Sequence, residues 1–506
     1  MSEIEDFEIV DPDPAAMIES MRSYGYTPET ALADLIDNCI TARSKNVWLT
    51  FHWAGRASYI SILDDGIGMD ETRLRDAMRP GSRNPLEERE AHDMGRFGLG
   101  LKTASFSQCR ILTVASRKNG LPRKIRRWDL DHVSRVGRWE LLRNPLPESE
   151  QKIAMLDDMP CGTIVLWENI DRIVGDEGAE DENAHRRFDK LITQVKVHLG
   201  MVFHRYLDTS QNRLRIYLNG TDPEHTIQPW DPFMSRHSVT IKSPVERIRF
   251  GHHYIEVQGH ILPHKDKLTP EEFETGNGPV GWNAQQGFYV YRNERLLVPG
   301  SWLNLGRERM WTKDDHFRLA RIRLDLPNSM DSDWQIDIKK STARPPPYVR
   351  ARIIDLAEDI RTRARDVFVH RGDYGSRPAL STMERIWKAE ERNGRRVYKI
   401  DRRHPLVKDV VNANINKEPV KALLSVIEET VPVEKIWLDS SEEKINHVRP
   451  FQDIPEEMER VAIQMYQALV RQCRINPSEA KNRIMCMEAF RDYRDRIAEM
   501  DMEGEN

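Results

Sequence analysis

Long apolar runs are missing from this sequence: no stretch of about 18 apolar residues occurs, and the N-terminus, MSEIEDFEIVDPDP, is acidic with no apolar core. Neither a membrane-spanning helix nor a secretory leader is expected, so the chain reads as cytoplasmic, with no membrane partner. Cysteine is scarce. The five present (Cys39, Cys109, Cys161, Cys473, Cys486) form no CxxC pair, which excludes a disulfide framework and a cysteine-rich zinc site and fits a reducing compartment. All five are expected to be buried or incidental thiols. An excess of basic charge is also lacking. Lys and Arg total 76 against 81 Asp and Glu, a net charge of -5, which argues against a whole-surface nucleic-acid binder and leaves room for local basic patches. No internal repeat or low-complexity tract is present. With 506 residues, 39% of them hydrophobic and 31% charged, the chain can bury a substantial core in roughly two to four domains.

Hydrophobic patterning divides the chain into three parts. The first ~200 residues mix alternating strands with helices in one α+β layer. Strands are expected at 46–53, 59–63, 110–116, 124–129, 138–142 and 163–167, and helices at 14–24, 28–43 and 183–206. A second block carries the strand-like segments LRIYLNG, HYIEVQGHIL, GFYVYRNERLLV and WQIDIKKS, and RPPPYVRARIIDLAEDI then opens a helix, because prolines suit the start of a helix and not its interior. Beyond about Gly375 the chain is mostly helical and charged. The domains are therefore drawn at 1–210, 211–375 and 376–506.

The segment YTPETALADLIDNCITARS begins with Thr27 as a cap and Pro28 at the first helical position. Leu32, Leu35, Ile36 and Cys39 make its buried stripe, which leaves Asp34, Asn38 and Thr41 on the opposite face. Next, SYISILDDGIGMD runs from a strand into a D-x-G-x-G turn: Asp64, Gly66 and Gly68, then Met69. Such a turn lets the backbone approach a flat ligand closely, and its carboxylate can accept a hydrogen bond from an exocyclic amine. The stretch HDMGRFGLGLKTASFSQC then comes within one residue of a phosphate-binding loop, since Leu101 lies between Gly100 and Lys102 where G-x-x-x-x-G-K-S/T has nothing. A P-loop follows a buried strand directly. Here a polar, Arg- and Glu-rich segment precedes the glycines, which excludes both the P-loop and a dinucleotide fingerprint. A lid that ends in an anion-binding helix start, with Lys102 adding a full charge, is the simpler physical reading.

These three elements, in this order, resemble the Bergerat-fold (GHKL) ATPases, the superfamily of gyrase, the large heat-shock chaperones, histidine kinases and MutL. The helix carrying Asp34 and Asn38 is similar to the N-box, DDGIGM to the first glycine box, GRFGLGLK to the second, and CGTIVLWENI to the later Gly-Thr element. A sensor kinase is not expected, because no helical segment with a phosphoacceptor histidine precedes the N-box. The second block is similar to the transducer domain of gyrase, MutL and MORC proteins. ADLIDNCITA and GRFGLGLKTASFSQC resemble most closely the prokaryotic MORC-like ATPases of restriction and phage-defence clusters. The implied fold is a Bergerat sandwich, a mixed sheet with helices on one face, followed by a transducer domain and a helical C-terminal region.

The resemblance implies ATP and Mg²⁺ as cofactors. Asp64 would accept from the adenine amine, with Thr163 sharing an ordered water, and Gly66, Gly68 and Met69 would line the base. Asn38 would complete the coordination of Mg²⁺. Gly95, Gly98, Gly100 and Lys102 would hold the phosphates, with Arg96, Phe97, Leu99, Leu101 and Thr103 beside them in the cofactor-binding segment, beneath a lid over about 80–96, and a transducer lysine, Lys339 or Lys340, would reach the terminal phosphate. The general base is a glutamate in most of the superfamily, and here that position is Asp34. Its carboxylate sits about 1.5 Å further back, and a misplacement of about 1 Å can lower a rate on the order of a hundredfold, so slow hydrolysis is expected. Asp37 is placed on another face of the helix and is not expected to substitute.

A slow ATPase of this design suits a switch in which ATP closes the lid and pairs two N-terminal domains. The resemblance thus implies an ATP-dependent homodimer, DNA association, and a nuclease or helicase as partner protein. A chaperone-like ATPase acting on protein clients and a nucleotide sensor with little turnover are the alternatives. The stretch RKNGLPRKIRRWDLDHVSRVGRW, with Trp128 and Trp139, is either a DNA contact or a sheet with a wet charged face and buried tryptophans. The apolar residues of EEMERVAIQMYQALVRQCRI are expected to form core or a bundle contact.

Overall fold

Alternating apolar residues build the first sheet, and their spacing decides which face of it is covered. The computed structural model describes residues 8, 12–81, 100–208, 210, 213–250, 253–330, 333–337, 342–369, 386–392, 395–413, 417–432, 455–472 and 474–502. The chain forms two compact units, Met1–Asp373 and Tyr374–Asn506.

The first unit opens with helices α1 (Pro14–Arg22) and α2 (Pro28–Thr41), strands β1 (Asn46–His52) and β2 (Tyr59–Asp64), and helices α3 (Glu71–Met78) and α4 (Gly100–Phe106). Then come β3 (Ile111–Arg117), β4 (Lys124–Asp129), α5 (Leu130–Val136), α6 (Glu150–Ile153), β5 (Gly162–Glu168), α7 (Glu182–Val202) and β6 (Arg215–Leu218). The strands lie in the order β4-β3-β5-β2-β1-β6. All neighbours are antiparallel except β1 and β6, which run parallel. On one face α1, α2, α4 and α7 bury Ile18, Leu32, Ile36, Phe106 and Leu199 against Val47, Ile62, Val114 and Trp167. The other face carries a smaller cluster in which Ile153 and Leu156 cover Leu63, Ala115, Ile164 and Leu166.

Arg22 ties α1 to this core. Its buried guanidinium donates to the carbonyls of Phe106 at 2.9 Å and Cys109 at 3.0 Å, near the end of α4, and pairs with Asp171 at 2.6 Å. A cation suits that place, since carbonyls at a helix end lack intrahelical donors.

Two strand expectations fail. Residues 138–142 form no strand, only a bridge between Arg127 and Leu142, because Asn144 and Pro145 follow at once and proline has no N–H to extend a ladder. The segment WQIDI is a turn at 333–335 among the described residues, with Gln335 at φ 48° and Trp334 fully buried. The segment LRIYLNG supplies β6 and so completes the first sheet.

The second sheet is built from β7 (Ile241–Lys242), β8 (Glu246–Phe250), β9 (His253–Ile261), β10 (Gly287–Arg292), β11 (Arg295–Ser301) and β12 (Ala320–Leu326), with α8 (Pro270–Asn277) between β9 and β10. Its order is β11-β10-β12-β9-β7, and β8 also pairs with β9. Helix α9 (Pro347–Val369) packs Val349, Ile353, Ala357, Ile360 and Ala364 on one face. Strand β10 is buried on both sides. Phe288 and Val290 point into the α9 core, whereas Tyr289 and Tyr291 join the core of the first domain. That alternation, a property of any strand, makes β10 the seam between the two domains of the unit.

The second unit holds a hairpin, β13 (Trp387–Arg392) and β14 (Arg395–Ile400), followed by α10 (Pro405–Ala413), α11 (Lys417–Glu429), α12 (Pro455–Gln467), α13 (Pro477–Met485) and α14 (Arg494–Glu499). Met458, Ala462, Tyr466 and Leu469 are buried against Ile484, Phe490 and Ile497. The apolar stripe of EEMERVAIQMYQALVRQCRI is therefore internal core.

Because Ile353 is fully buried between α9 and the second sheet, Ile353→Ala should lower the unfolding free energy by about 2–5 kcal/mol. Arg363, in an exposed pair with Asp359, should change it by less than about 0.5 kcal/mol on replacement by Ala. Urea unfolding of both variants checks the contrast.

Candidate active site

Helix α2 organises the site. Thr27 occupies its N-cap and donates its N–H to the Thr30 hydroxyl at 3.0 Å, with Pro28 at the first position. The apolar stripe Leu32, Leu35, Ile36 and Cys39 is buried as its spacing requires. The polar face is not uniformly wet. Asn38 is exposed, but Asp34 and Asp37 are buried at 4% and 1% exposure, so each carboxylate must find partners.

Asp34 is held from two sides. Its Oδ2 accepts from the Tyr26 hydroxyl at 2.8 Å, and its Oδ1 lies 3.7 Å from Nη2 of Arg295, which begins β11 in the second domain. The Tyr26 hydroxyl also interacts with Thr103 on α4, and burial together with the Asp34 charge pushes its ionisation far above the ordinary tyrosine value. Asp37 receives Nε of Arg295 at 2.9 Å. The expectation that Asp37 lies apart from Asp34 is thereby corrected, since residues three apart on a helix are neighbours and one guanidinium serves both. Gly100 stands beside them: a methyl group there would come within 3.9 Å of Asp34 Oδ2. The N-terminal half of α2 and the start of α4 thus meet at one place. Thr103 is fully buried, Leu101 packs on the core, and the Lys102 ammonium donates to the Ala77 carbonyl at 2.8 Å. A phosphate at this spot would have to draw Lys102 out of that bond.

The other end of the site lies on the sheet. Asp64 faces Thr163 across β2 and β5, and Thr163 faces Ser116 across β5 and β3. The three polar side chains form a row over adjacent strands. Asp64 Oδ1 accepts from Gly66 N at 2.8 Å and from Ser44 Oγ at 3.0 Å, and the buried Cys39 thiol, which donates to the Leu35 carbonyl at 3.3 Å, lies near its carboxylate. Burial raises the Asp64 pKa to about 6, against the opposing pull of the Gly66 and Ser44 hydrogen bonds and the nearby Cys39 thiol. The adjacent Asp65 plays a different part. It accepts from the N–H groups of Lys45 and Asn46 at 2.7 and 2.9 Å and so fixes the turn.

Close backbone contact explains the glycines. A methyl group on Gly66 would sit 2.6 Å from Ser44 Oγ, and Gly68, at φ 64°, would place one 1.9 Å from the Arg117 carbonyl oxygen. Met69 N donates to Ser116 Oγ at 2.8 Å, and Ser116 in turn bonds the Gly162 carbonyl at 3.1 Å and the Thr163 hydroxyl at 2.8 Å.

Sequence reading missed Tyr26, Ser44, Cys39, Ser116 and Arg295. None lies in a glycine box, although Tyr26 immediately precedes the α2 cap. The expected positions Gly95, Arg96, Phe97, Gly98, Leu99, Lys339 and Lys340, and the lid beyond Gly81, lie outside the described residues. From Asp34 to Ala42, where the Gly66 turn rests, α2 rises about 12 Å at 1.5 Å per residue.

Residues 26–163 match a family model described as histidine kinase-, DNA gyrase B- and HSP90-like ATPase. This segment is an ATPase domain of that kind. The "ATPase morc-1" of Caenorhabditis elegans is 28% identical over 94 residues, which are 19% of this chain and 11% of that protein. The chain thus matches about a tenth of that relative's length. A crystal structure of the ATPase and transducer domains of DNA topoisomerase II from Balamuthia mandrillaris covers 68% of this chain and 83% of its own, at 11% identity and a TM-score of 0.37. The ATPase domain therefore contains Tyr26, Asp34, Asn38, Asp64, Gly100 and Thr163. Arg295 lies outside it. Among the described residues no helix is long and apolar enough to cross a membrane.

The Asp64 carboxyl has a sign-definite effect on stability. Its folded pKa of about 6 lies above the ordinary 3.8, so between those values the folded state binds more protons and loses stability as pH rises. In nucleotide-free protein the penalty should be complete above about pH 6 and on the order of 3 kcal/mol. Chemical unfolding from pH 4 to 7 should show Asp64→Asn gaining on the wild type by that order; parallel curves would refute it.

Proposed function

We propose that the first domain binds ATP with its base at Asp64 and its phosphates between Asp34 and Gly100, and hydrolyses it slowly. The observation that carries this reading is the placement of both ends on one helix. Asp34 touches the start of α4, and the C-terminal end of α2 holds the turn of Asp64 and Gly66, about 12 Å away along the helix axis. That span suits a base, a ribose and a chain of phosphates.

In this reading Asp64 accepts from the adenine amine, and Thr163 and Ser116 hold an ordered water beside it. Mg²⁺ supplies charge neutralisation at the phosphates, and Asn38, exposed on the same face as Asp34, is the side chain that would reach it; an amide oxygen is a hard donor of the kind this ion takes. Gly100, Lys102 and the glycines before them would hold phosphate oxygens. Asp34 would orient and deprotonate the attacking water as general base, with Tyr26 keeping the carboxylate turned toward α4. A chain one methylene shorter than glutamate makes this a slow hydrolase, suited to a switch.

Such a switch would work as a nucleotide-gated clamp: ATP pairs two N-terminal domains and hydrolysis releases them. A role on DNA in a restriction or anti-phage defence system, beside a nuclease or helicase, follows from the MORC-like motifs. Trp128 is buried and stacks edge-on with the partly buried Trp139, while Lys124 and Arg126 pair with Glu71. The buried Trp128 offers no face to a base, so DNA would be held mainly through its phosphates and the affinity would fall with salt.

Asp64→Asn should abolish ATP binding, whereas Asp34→Ala should retain binding and lose turnover. Tight ATP binding by folded Asp64→Asn would sink the base assignment. Light scattering should show association under a non-hydrolysable ATP analogue; an unchanged mass would end the clamp reading. DNA-stimulated, salt-sensitive turnover supports the DNA role, and stimulation by unfolded protein clients without DNA binding would replace it with a chaperone-like one.

A further inference from the structure

We propose that Arg295, a residue of the second domain, is a positioning residue for Asp34, so that turnover depends on how the second domain meets α2. This rests on the reading of Asp34 as the general base.

Strands β10 and β11 are joined by Asn293 and Glu294, both in the left-handed region at φ 47° and 66°. Arg292 and Arg295 face each other across this two-residue turn, the geometry of a tight hairpin whose twist matches its strands. The turn is docked on the first domain, because the Tyr206 hydroxyl donates to the Asn293 carbonyl at 2.6 Å. Two residues before Asn293, on β10, the Tyr291 hydroxyl is hydrogen-bonded to His204 at 2.8 Å, and the Arg205 guanidinium lies 3.4 Å over the Tyr291 ring while pairing with Asp325. Arg295 therefore enters from a fixed backbone.

Its guanidinium is 3% exposed and has a defined set of neighbours. Nε is on Asp37, Nη1 donates to the Leu296 carbonyl at 3.1 Å, and Nη2 lies 3.7 Å from Asp34 Oδ1. The last separation is too long for a direct hydrogen bond and acts through charge. With Tyr26 on Oδ2 and Arg295 beside Oδ1, both oxygens of Asp34 are assigned. An aspartate has few torsions, and neighbours on both oxygens leave its carboxylate one orientation, the kind of support a reacting group needs to within about 0.5 Å. Asp37 has a use here too: it holds the arginine in place while Asp34 is left to face Gly100. If the second domain shifts, α2 keeps its fold but Asp34 loses the restraint that Arg295 provides. The second domain can thus set the rate through Arg295 and Asp34.

The test uses the full chain and compares ATP turnover and ATP-analogue binding for the wild type, Arg295→Gln, Arg295→Lys, Asp34→Asn and the Asp34→Asn/Arg295→Gln double variant. Arg295→Gln should lower kcat by about 10- to 100-fold, the size of an ångström-scale misplacement, with Kd for the analogue within about threefold because the proposed role of Arg295 acts through Asp34. Arg295→Lys, which keeps the charge and loses the fork, should fall between. In the Asp34→Asn background, Arg295→Gln should add no further loss of turnover.

Unchanged or faster turnover in Arg295→Gln overturns the proposal, as does an equal loss in the Asp34→Asn background. If Arg295→Gln does not fold, Arg295→Lys decides: a severalfold lower kcat at unchanged Kd supports the role, and wild-type kcat overturns it. Full turnover in Asp34→Asn overturns the reading of Asp34 and the proposal with it. Loss in Asp34→Asn without loss in Arg295→Gln overturns the proposal alone.

Discussion

Three charged groups out of water, Arg295 between Asp37 and Asp34, hold the first unit together in the sense that matters for its site. Removing water from an arginine and two carboxylates is expensive, and their mutual attraction repays much of that only while all three stay in place. The arrangement contributes little net stability compared with an apolar patch of the same size. What it supplies is specificity: breaking one partner of such a set leaves a buried charge and costs about 3–5 kcal/mol, so β11 and α2 are held to one relative position. The apolar seam does not discriminate in this way. Tyr289, Tyr291 and Phe233 exclude water over a range of small displacements, whereas the guanidinium fits its carboxylates in one.

The two ends of the site follow opposite electrostatic rules. At Asp64 the dominant effect is burial, which raises the carboxyl toward neutrality, and the hydrogen bonds from Gly66 and Ser44 and the nearby Cys39 thiol oppose it without cancelling it. At Asp34 a full positive charge and a hydroxyl already stand beside the carboxylate. These neighbours fix where the Asp34 carboxylate points. The helix between the two ends meets both, with Asp34 and Asp37 buried on it and Asn38 and Thr41 exposed.

Much of the fold was legible because it depends on local patterns. The α2 stripe, the strands at β1 to β5 and the proline-led start of α9 follow from periodicity and from what proline permits. The failures share a cause. At 138–142 a locally strand-like run has no neighbour to continue with past Pro145, and at WQIDI a buried tryptophan sits in a turn; pairing is a tertiary property. LRIYLNG forms the strand its pattern indicates and pairs with β1 in the first sheet; nothing in seven residues says which edge they join. In the site, Asp34, Asp64, Gly66, Gly68, Gly100 and Thr163 were legible through their motifs.

The sequence by itself determined the elements and the order of the glycine boxes, because glycine, proline and apolar spacing act over a few residues. Only the tertiary structure decided which side chains share a site. Asp37 is separated from Arg295 by 258 positions, and Tyr26, Ser44, Cys39 and Ser116 meet the motif residues from four different elements or loops. Their roles arise from burial, which turns ordinary polar residues into obligatory partners, and burial is fixed only when the sheets and helices close on one another.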